Sequence, residues 1–293
     1  MAVRKPHRIL IASDGSRAAQ AALETAVKLP WPASSRLLGV VARSGWMPFA
    51  SDDTRAAVEA SFEEVGAAAR SALARSWPQS SVVVVDAPPV EAILAEAQRF
   101  DASVIVLGWR GHGVFRRLLA GSVSRSVAAR ARCPVLVVRE APRAVRRFVL
   151  GFDGCPNAEH ALDFLGSLEP GRGRRVVLVN VVEAVIVPAS VRQLPASMRA
   201  QIRGEVAAQN QERLRQAQAT VEAGAARLER CGWKAQCDVR VGAPHATLLK
   251  AVAVPRGDLL VLGARATSGV ERALLGSVAN GALNSSRAVL LVP

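Results

Sequence analysis

Lysine is scarce in this chain: Lys5, Lys28, Lys234 and Lys250 are the only four among 293 residues. None of them closes a Gly-x-x-x-x-Gly-Lys spacing, so a Walker-type phosphate loop, whose lysine reaches the terminal phosphates, is excluded. Cysteine is as rare. Cys133, Cys155, Cys231 and Cys237 make no Cys-x-x-Cys pair, and His7, His112, His160 and His245 add no ligand spacing beside them. That removes the zinc-site and dithiol-redox classes. Isolated thiols in a chain of this length fit a reducing cytosol. No apolar run comes near the ~20 residues of a membrane-spanning helix. The opening Met1-Ala-Val-Arg-Lys-Pro-His has no signal-peptide core and leads straight into a strand-like run. A cytoplasmic protein without membrane contact is the expectation. No general base, nucleophile set or metal-ligand cluster stands out, so an enzyme is disfavoured.

What the chain has in abundance is arginine. Lys and Arg number 38 against 24 Asp and Glu, for a formal charge of +14 and an isoelectric point near 11.3. Such a charge suits an acidic partner, nucleic acid or a phosphorylated ligand. The arginines are scattered, however, with no basic stripe and no aromatic stacking set, which disfavours nucleic acid. An Arg-over-Lys bias in an Ala-rich chain is also what a GC-rich coding sequence yields. Half of the residues are hydrophobic, enough to fill two ordinary cores.

Short apolar runs alternate with helix-like segments. Arg8–Ser13 reads as a strand closed by Asp14-Gly15-Ser16, with Ser16 as N-cap of a helix over Arg17–Leu29. Strands at Leu37–Ala42, Ser81–Asp86, Ser103–Leu107 and Pro134–Arg139 follow. Helices from about Thr54 to Trp77, after Pro88-Pro89 to about Arg99, and from Ser124 to Ala131 separate them. Further strands fall near Phe148–Phe152, Arg175–Val182, Ala235–Val241, Leu259–Leu262 and Ala288–Val292. The alternation implies βαβ units and parallel sheets, and the Val/Ile/Leu runs imply burial on both faces. Residues 140–146 form the link, so domains over 1–140 and 146–293 are expected.

The most informative stretch follows the run Ser103–Leu107. Gly108 and Gly111 stand at the strand exit, nine residues intervene, and Gly121-Ser122 opens a helix. Glycines at a strand exit let a ligand approach main-chain N–H groups, and a helix start offers unpaired N–H groups to phosphate. A lone loop of this kind is weak evidence, but it recurs. Shifted by 155 residues, Val106, Leu107, Gly108, Arg110, Arg117, Leu119, Gly121, Ser122 and Val123 all meet identical residues. So do Arg132, Leu136 and Val137, which meet Arg287, Leu291 and Val292. The chain is an internal duplication of domain size. Asp153-Gly154 stands where Asp14-Gly15 stands, at an offset of 139, so about 16 extra residues enter the second copy, most naturally over 185–205.

Asp14-Gly15-Ser16 after the first strand, Gly108-x2-Gly111-x9-Gly121-Ser122 after the fourth, and Cys133-Pro134 leading the fifth together resemble the universal stress protein family in tandem form. The resemblance covers essentially the whole chain. It implies two Rossmann-like domains of the adenine nucleotide alpha hydrolase kind, each a five-stranded parallel sheet with helices on both faces. It also implies ATP, with or without Mg²⁺, in the crevice where strand order reverses. Asp14 would then take the adenine amino group and Val40 would offer main-chain contacts. Gly108, Gly111, Gly121 and Ser122 would line the phosphates, and Ser124 would add a hydroxyl. Arg110, which recurs as Arg265, is a further phosphate donor by its own chemistry. The plainer alternatives are a turn carboxylate for Asp14, a simple helix cap for Gly121-Ser122 and a solvated side chain for Arg110.

The second copy keeps Asp153, Gly263, Gly276 and Ser277 but has Ala266 for Gly111, Ala279 for Ser124 and Cys155 for Ser16. A weaker or empty second site is expected. Three functions fit: a nucleotide-dependent regulator in stress response, a slow ATPase or phosphotransferase using the same pocket, and a scaffold for an unknown protein partner. The edge strands Pro134–Arg139 and Ala288–Val292 are expected to pair antiparallel into an internal pseudo-dimer, with a homodimer through another face left open.

Overall fold

The computed structural model describes residues 5–43, 51–109, 121–253, 258–264 and 275–293. In the first half, β1 (Arg8–Ala12), β2 (Arg36–Ala42), β3 (Ser81–Val85), β4 (Val104–Gly108) and β5 (Val135–Val138) alternate with helices. These are α1 (Arg17–Lys28), α2 (Asp52–Ser76), α3 (Pro89–Arg99) and α4 (Ser122–Arg130). The second half repeats the plan with β6 (Arg147–Gly151), β7 (Arg175–Val182), β8 (Lys234–Val241), β9 (Leu259–Gly263) and β10 (Ala288–Val292). Its helices are α5 (Pro156–Ser167), α6 (Ala196–Arg230), α7 (Pro244–Ala253) and α8 (Ser277–Ser285).

Within each half the strands run parallel, and the two halves join into one ten-stranded sheet in the order β3-β2-β1-β4-β5-β10-β9-β6-β7-β8. The joint is the expected antiparallel pair of β5 and β10, in register Val138↔Ala288, Val137↔Val289, Leu136↔Leu290 and Val135↔Leu291. Period-two alternation buries both faces. Ile9, Ile11, Val106, Leu136, Phe148, Leu150 and Leu290 face the layer of α1 and α5. Leu10, Ile105, Leu107, Val137, Val149 and Leu291 face the layer of α4 and α8. Each such Leu, Ile or Phe contributes about 1.5–3 kcal/mol by leaving water.

Polar contacts lock the joint. Arg139 Nη2 donates to the last-turn carbonyls of α8, Leu283 at 3.0 Å and Asn284 at 2.6 Å, and Arg125 Nη2 donates to Asn284 Oδ1 at 3.0 Å. A cation at a helix C-terminus meets both orphan carbonyls and the negative end of the dipole. On the other face, buried His7 lies 5.3 Å from the rings of both Trp31 and Phe164. Ser167 donates its hydroxyl proton to the Phe164 carbonyl at 2.5 Å, so its oxygen accepts from His7 Nε2 at 3.0 Å. That assigns the Nε2–H tautomer, or the doubly protonated ring, to His7.

The extra residues of the second half are divided between a segment with a short 3-10 turn at Ala189–Gln193 and a longer helix, 35 residues in α6 against 25 in α2. Half-buried Ile202, Val206, Asn210 and Leu214 continue into buried Ala217, Val221, Ala225 and Leu228, a stripe spaced three or four residues apart. Asn210 ties the preceding segment to it, bonding both the N–H and the carbonyl of Val185 at 2.8 and 3.0 Å. No helix among the described residues is long and apolar enough to cross a membrane.

Candidate functional site

Strand order reverses between β1 and β4, so their carboxyl ends open a crevice of the kind in which α/β sheets bind ligands. Asp14 stands exposed at one lip. Its Oδ1 accepts the Ser16 N–H at 3.1 Å, closing an Asx turn around Gly15, whose φ is +75°. Ser16 is the N-cap of α1, its hydroxyl accepting the Ala19 N–H at 3.1 Å. The second half builds the same turn: Asp153 Oδ1 accepts the Cys155 N–H at 3.0 Å around Gly154, φ +78°. There Cys155 Sγ, a weaker acceptor, takes the Ala158 N–H at 3.4 Å. Burial, with the bond to Asp153 second, pushes the Cys155 thiol up from its ordinary value and keeps it protonated.

Gly108 ends β4 for a reason that involves no ligand. A Cβ there would stand 2.5 Å from the Ala18 carbonyl carbon, so α1 packs against this strand only over a glycine. Gly263 has the same cause, with Asn157 of α5 at 2.7 Å. Val40 is buried inside the ladder, level with Ala12, and its carbonyl accepts the Ser13 N–H at 2.9 Å. Arg110, Gly111, Arg265 and Ala266 lie outside the described residues.

The opposite lip is the start of α4. Gly121 caps it at φ +82°, and an added Cβ would meet the Trp109 ring at 2.8 Å, so glycine is required twice over. Ser122, the first helical residue, is exposed. Ser124 is not in the crevice: it is buried, and its hydroxyl lies 3.3 Å from the Trp109 carbonyl and 3.2 Å from that of Gly121. The helix opens at Gly121-Ser122 as expected, and its third residue, Ser124, turns inward.

Trp109 was not singled out by the sequence reasoning, although it fills a variable position of the glycine motif. It is buried under the start of α4, with the Arg139 guanidinium 4.8 Å and that of Arg125 5.9 Å from its ring centroid. These stacked cations are the same two side chains that grip α8 across the joint, so the floor of the first crevice and the joint share parts. In the second half the equivalent residue is buried Ala264, and Gly276 caps α8 at φ −58°, donating its N–H to the Ala264 carbonyl at 3.1 Å. Ser277 is exposed at the first position of α8, and Ala279 is buried.

Chemically, the first crevice sets a carboxylate at one lip and a helix N-terminus at the other, suiting a ligand with a donor at one end and an anion at the other. Among the described residues no three His, Cys, Asp or Glu side chains gather as a metal site. Burial pushes the Cys133 thiol up to about 11, which makes it a poor nucleophile.

A profile of the Universal stress protein family matches residues 6–139 and again 144–293. The chain is 29% identical over 163 residues to the stress response protein NhaX of Bacillus subtilis, covering 45% of this chain and 97% of that protein. It is 28% identical over 204 residues to the universal stress protein Rv2005c of Mycobacterium tuberculosis, covering 66% of this chain and 62% of that one. A crystal structure of a universal stress protein from Archaeoglobus fulgidus aligns over 97% of both chains with a TM-score of 0.68 at 18% identity, a likeness of fold. With both halves matched and joined as a pseudo-dimer, the chain belongs to the universal stress protein family, as a tandem of two such domains.

Proposed function

We propose that the first half binds ATP in the crevice above β1 and β4 and that the chain is a nucleotide-dependent regulator in stress response. The observation that carries this reading is the pair of lips: the Asp14 carboxylate on one side, and on the other α4, capped by left-handed Gly121. Asp14 has lone pairs beyond the one that accepts the Ser16 N–H, so it can take an adenine amino group without giving up its turn. The Val40 carbonyl already serves Ser13, so the main-chain contact moves to Ala42. Strand alternation turns Ala42 toward the same side as Val40, and it lies at the strand end. The N–H groups that open α4, with Gly121 and Ser122, receive the phosphates, and Arg110 and Gly111 complete the loop. The domains at 1–140 and 146–293 act as unequal units, Asp153, Gly263, Gly276 and Ser277 forming the weaker site.

Heat-denaturing the purified protein and chromatographing the supernatant tests the reading directly. Released adenine nucleotide near one equivalent per chain supports it, as does a single tight site by calorimetry. Absence of nucleotide together with no heat on ATP addition would return the chain to a scaffold role. Turnover above buffer background would make it a slow ATPase.

A further inference from the structure

The ten-stranded sheet has two outer edges, β3 and β8. Free edges are templates for unwanted pairing, and proteins usually blunt them with charge, proline or bulges. β8 follows that rule, carrying Lys234, Asp238 and Arg240. β3 does not. It reads Ser-Val-Val-Val-Val, has no charge and no proline, and pairs with β2 in unbroken register from Leu38↔Ser81 to Ala42↔Val85. Its four valines are only half-buried. In composition it matches β5 (Val-Leu-Val-Val) and β10 (Ala-Val-Leu-Leu-Val), the two strands that solve the same problem by pairing antiparallel with each other.

The backbone of β3 is set for such a partner. The Arg43 N–H donates to the Val85 carbonyl at 2.7 Å, so Val85, and by alternation Val83 and Ser81, turn their polar groups toward β2. Val82 and Val84 therefore present N–H and C=O outward. An antiparallel copy centred on Val83 would match Val82 with Val84 and Val84 with Val82, closing four hydrogen bonds about a twofold axis. Beside this edge runs a groove of about 520 Å³ between Val83–Ala87 and α3. Asp86 and Glu91, ion-paired with Arg43 and Arg130, stand at the carboxyl end of β3, and Arg99, ion-paired with buried Glu96, stands at the other end of α3. The twofold axis would lay a second α3 alongside the first, running the opposite way on the same face.

We propose that two copies of the chain associate through β3, antiparallel, extending the sheet from ten strands to twenty. Sedimentation velocity of the full chain should show a species of twice 30.9 kDa that dissociates on dilution. Val84→Pro removes an outward N–H and leaves the β2 ladder intact, so it should give monomer with an unchanged circular dichroism spectrum. Val82→Pro removes the other outward N–H and should act in the same way. A wild-type chain that stays monomeric at crystallisation concentrations overturns the proposal. So does a dimer indifferent to both Val84→Pro and Val82→Pro.

Discussion

Gly121 and Gly276 hold equivalent places in the duplicated motif, yet the chain passes through them differently, at φ +82° in the first half and −58° in the second. What lies beneath accounts for the contrast. Under α4 sits the Trp109 indole, with Ser124 bridging the Trp109 and Gly121 carbonyls; under α8 the same two places hold Ala264 and Ala279. The large ring takes up the room beside the cap and leaves Gly121 no space for a Cβ. The same letter in a repeated motif thus meets a left-handed backbone in one copy and an ordinary one in the other. The second half departs from the first at Ala264 and Ala279 as well as at Ala266 of its glycine loop.

Exchanging the floors is the strongest way to break this contrast. Trp109→Ala installs the second-half residue, empties the space under α4 and should destabilise the chain by about 3–5 kcal/mol, read as a lower urea midpoint. It also unseats Arg139 and Arg125, so the joint should loosen with it. The next effect belongs to the caps. Gly121→Val places a branched side chain at positive φ against the ring and should cost about 2–4 kcal/mol together with the tight ATP site. Gly276→Val, at ordinary φ, should cost far less, and equal losses by calorimetry and denaturation would dissolve the distinction.

A smaller effect separates capping from base recognition. Asp14→Ala should lose about 1 kcal/mol with its turn, as should Asp153→Ala. Only the first should also narrow the preference for ATP over GTP, because a carboxylate repels the guanine carbonyl. Asp14→Asn keeps the turn acceptor and so isolates the nucleotide effect.

The smallest effect is at the seam the halves share. Burial, the largest cause, holds His7 below the ordinary histidine value of 6.5 despite its bond to Ser167. Unfolded chains therefore bind a proton that folded ones refuse once pH falls below about 6.5, and stability declines there until the folded value is passed. Urea midpoints at about pH 7.5 and about pH 5.5 should differ for the wild type and differ less for His7→Gln.

Much of the architecture could be read from residue order. Apolar runs placed nine of the ten strands, and β8, with its Lys234, Asp238 and Arg240, followed from the repeat of the plan in the second half. Ser16 announced its cap, and the uncharged edges of β5 and β10 announced their pairing. The reasons for particular glycines were less legible. Gly108 looked like a place for phosphate to approach, and its immediate cause is the Ala18 backbone, a contact that exists only once α1 lies across β4. Ser124 is a phosphate contact only by the family resemblance, and its hydroxyl lies instead against the Trp109 and Gly121 carbonyls, a placement that depends on the packing of α4. Trp109 gave no signal at all. A single aromatic in a variable motif position carries no periodicity, and its role depends on Arg139, thirty residues on, and on the helix above it.

The β5–β10 joint also sets a schedule. About 150 residues separate Val138 from Ala288, its partner in the register. At ~5–20 residues per second, a ribosome needs roughly 8–30 s to cover that distance. Through this interval the first half can finish its parallel strands while the apolar flank of β5 waits bare. Nascent chains on crowded polysomes would then have the chance to clasp one another at that flank. Slow translation through the second half, or a scarcity of chaperones, should therefore raise the yield of exchanged, entangled chains without altering any contact in the finished molecule.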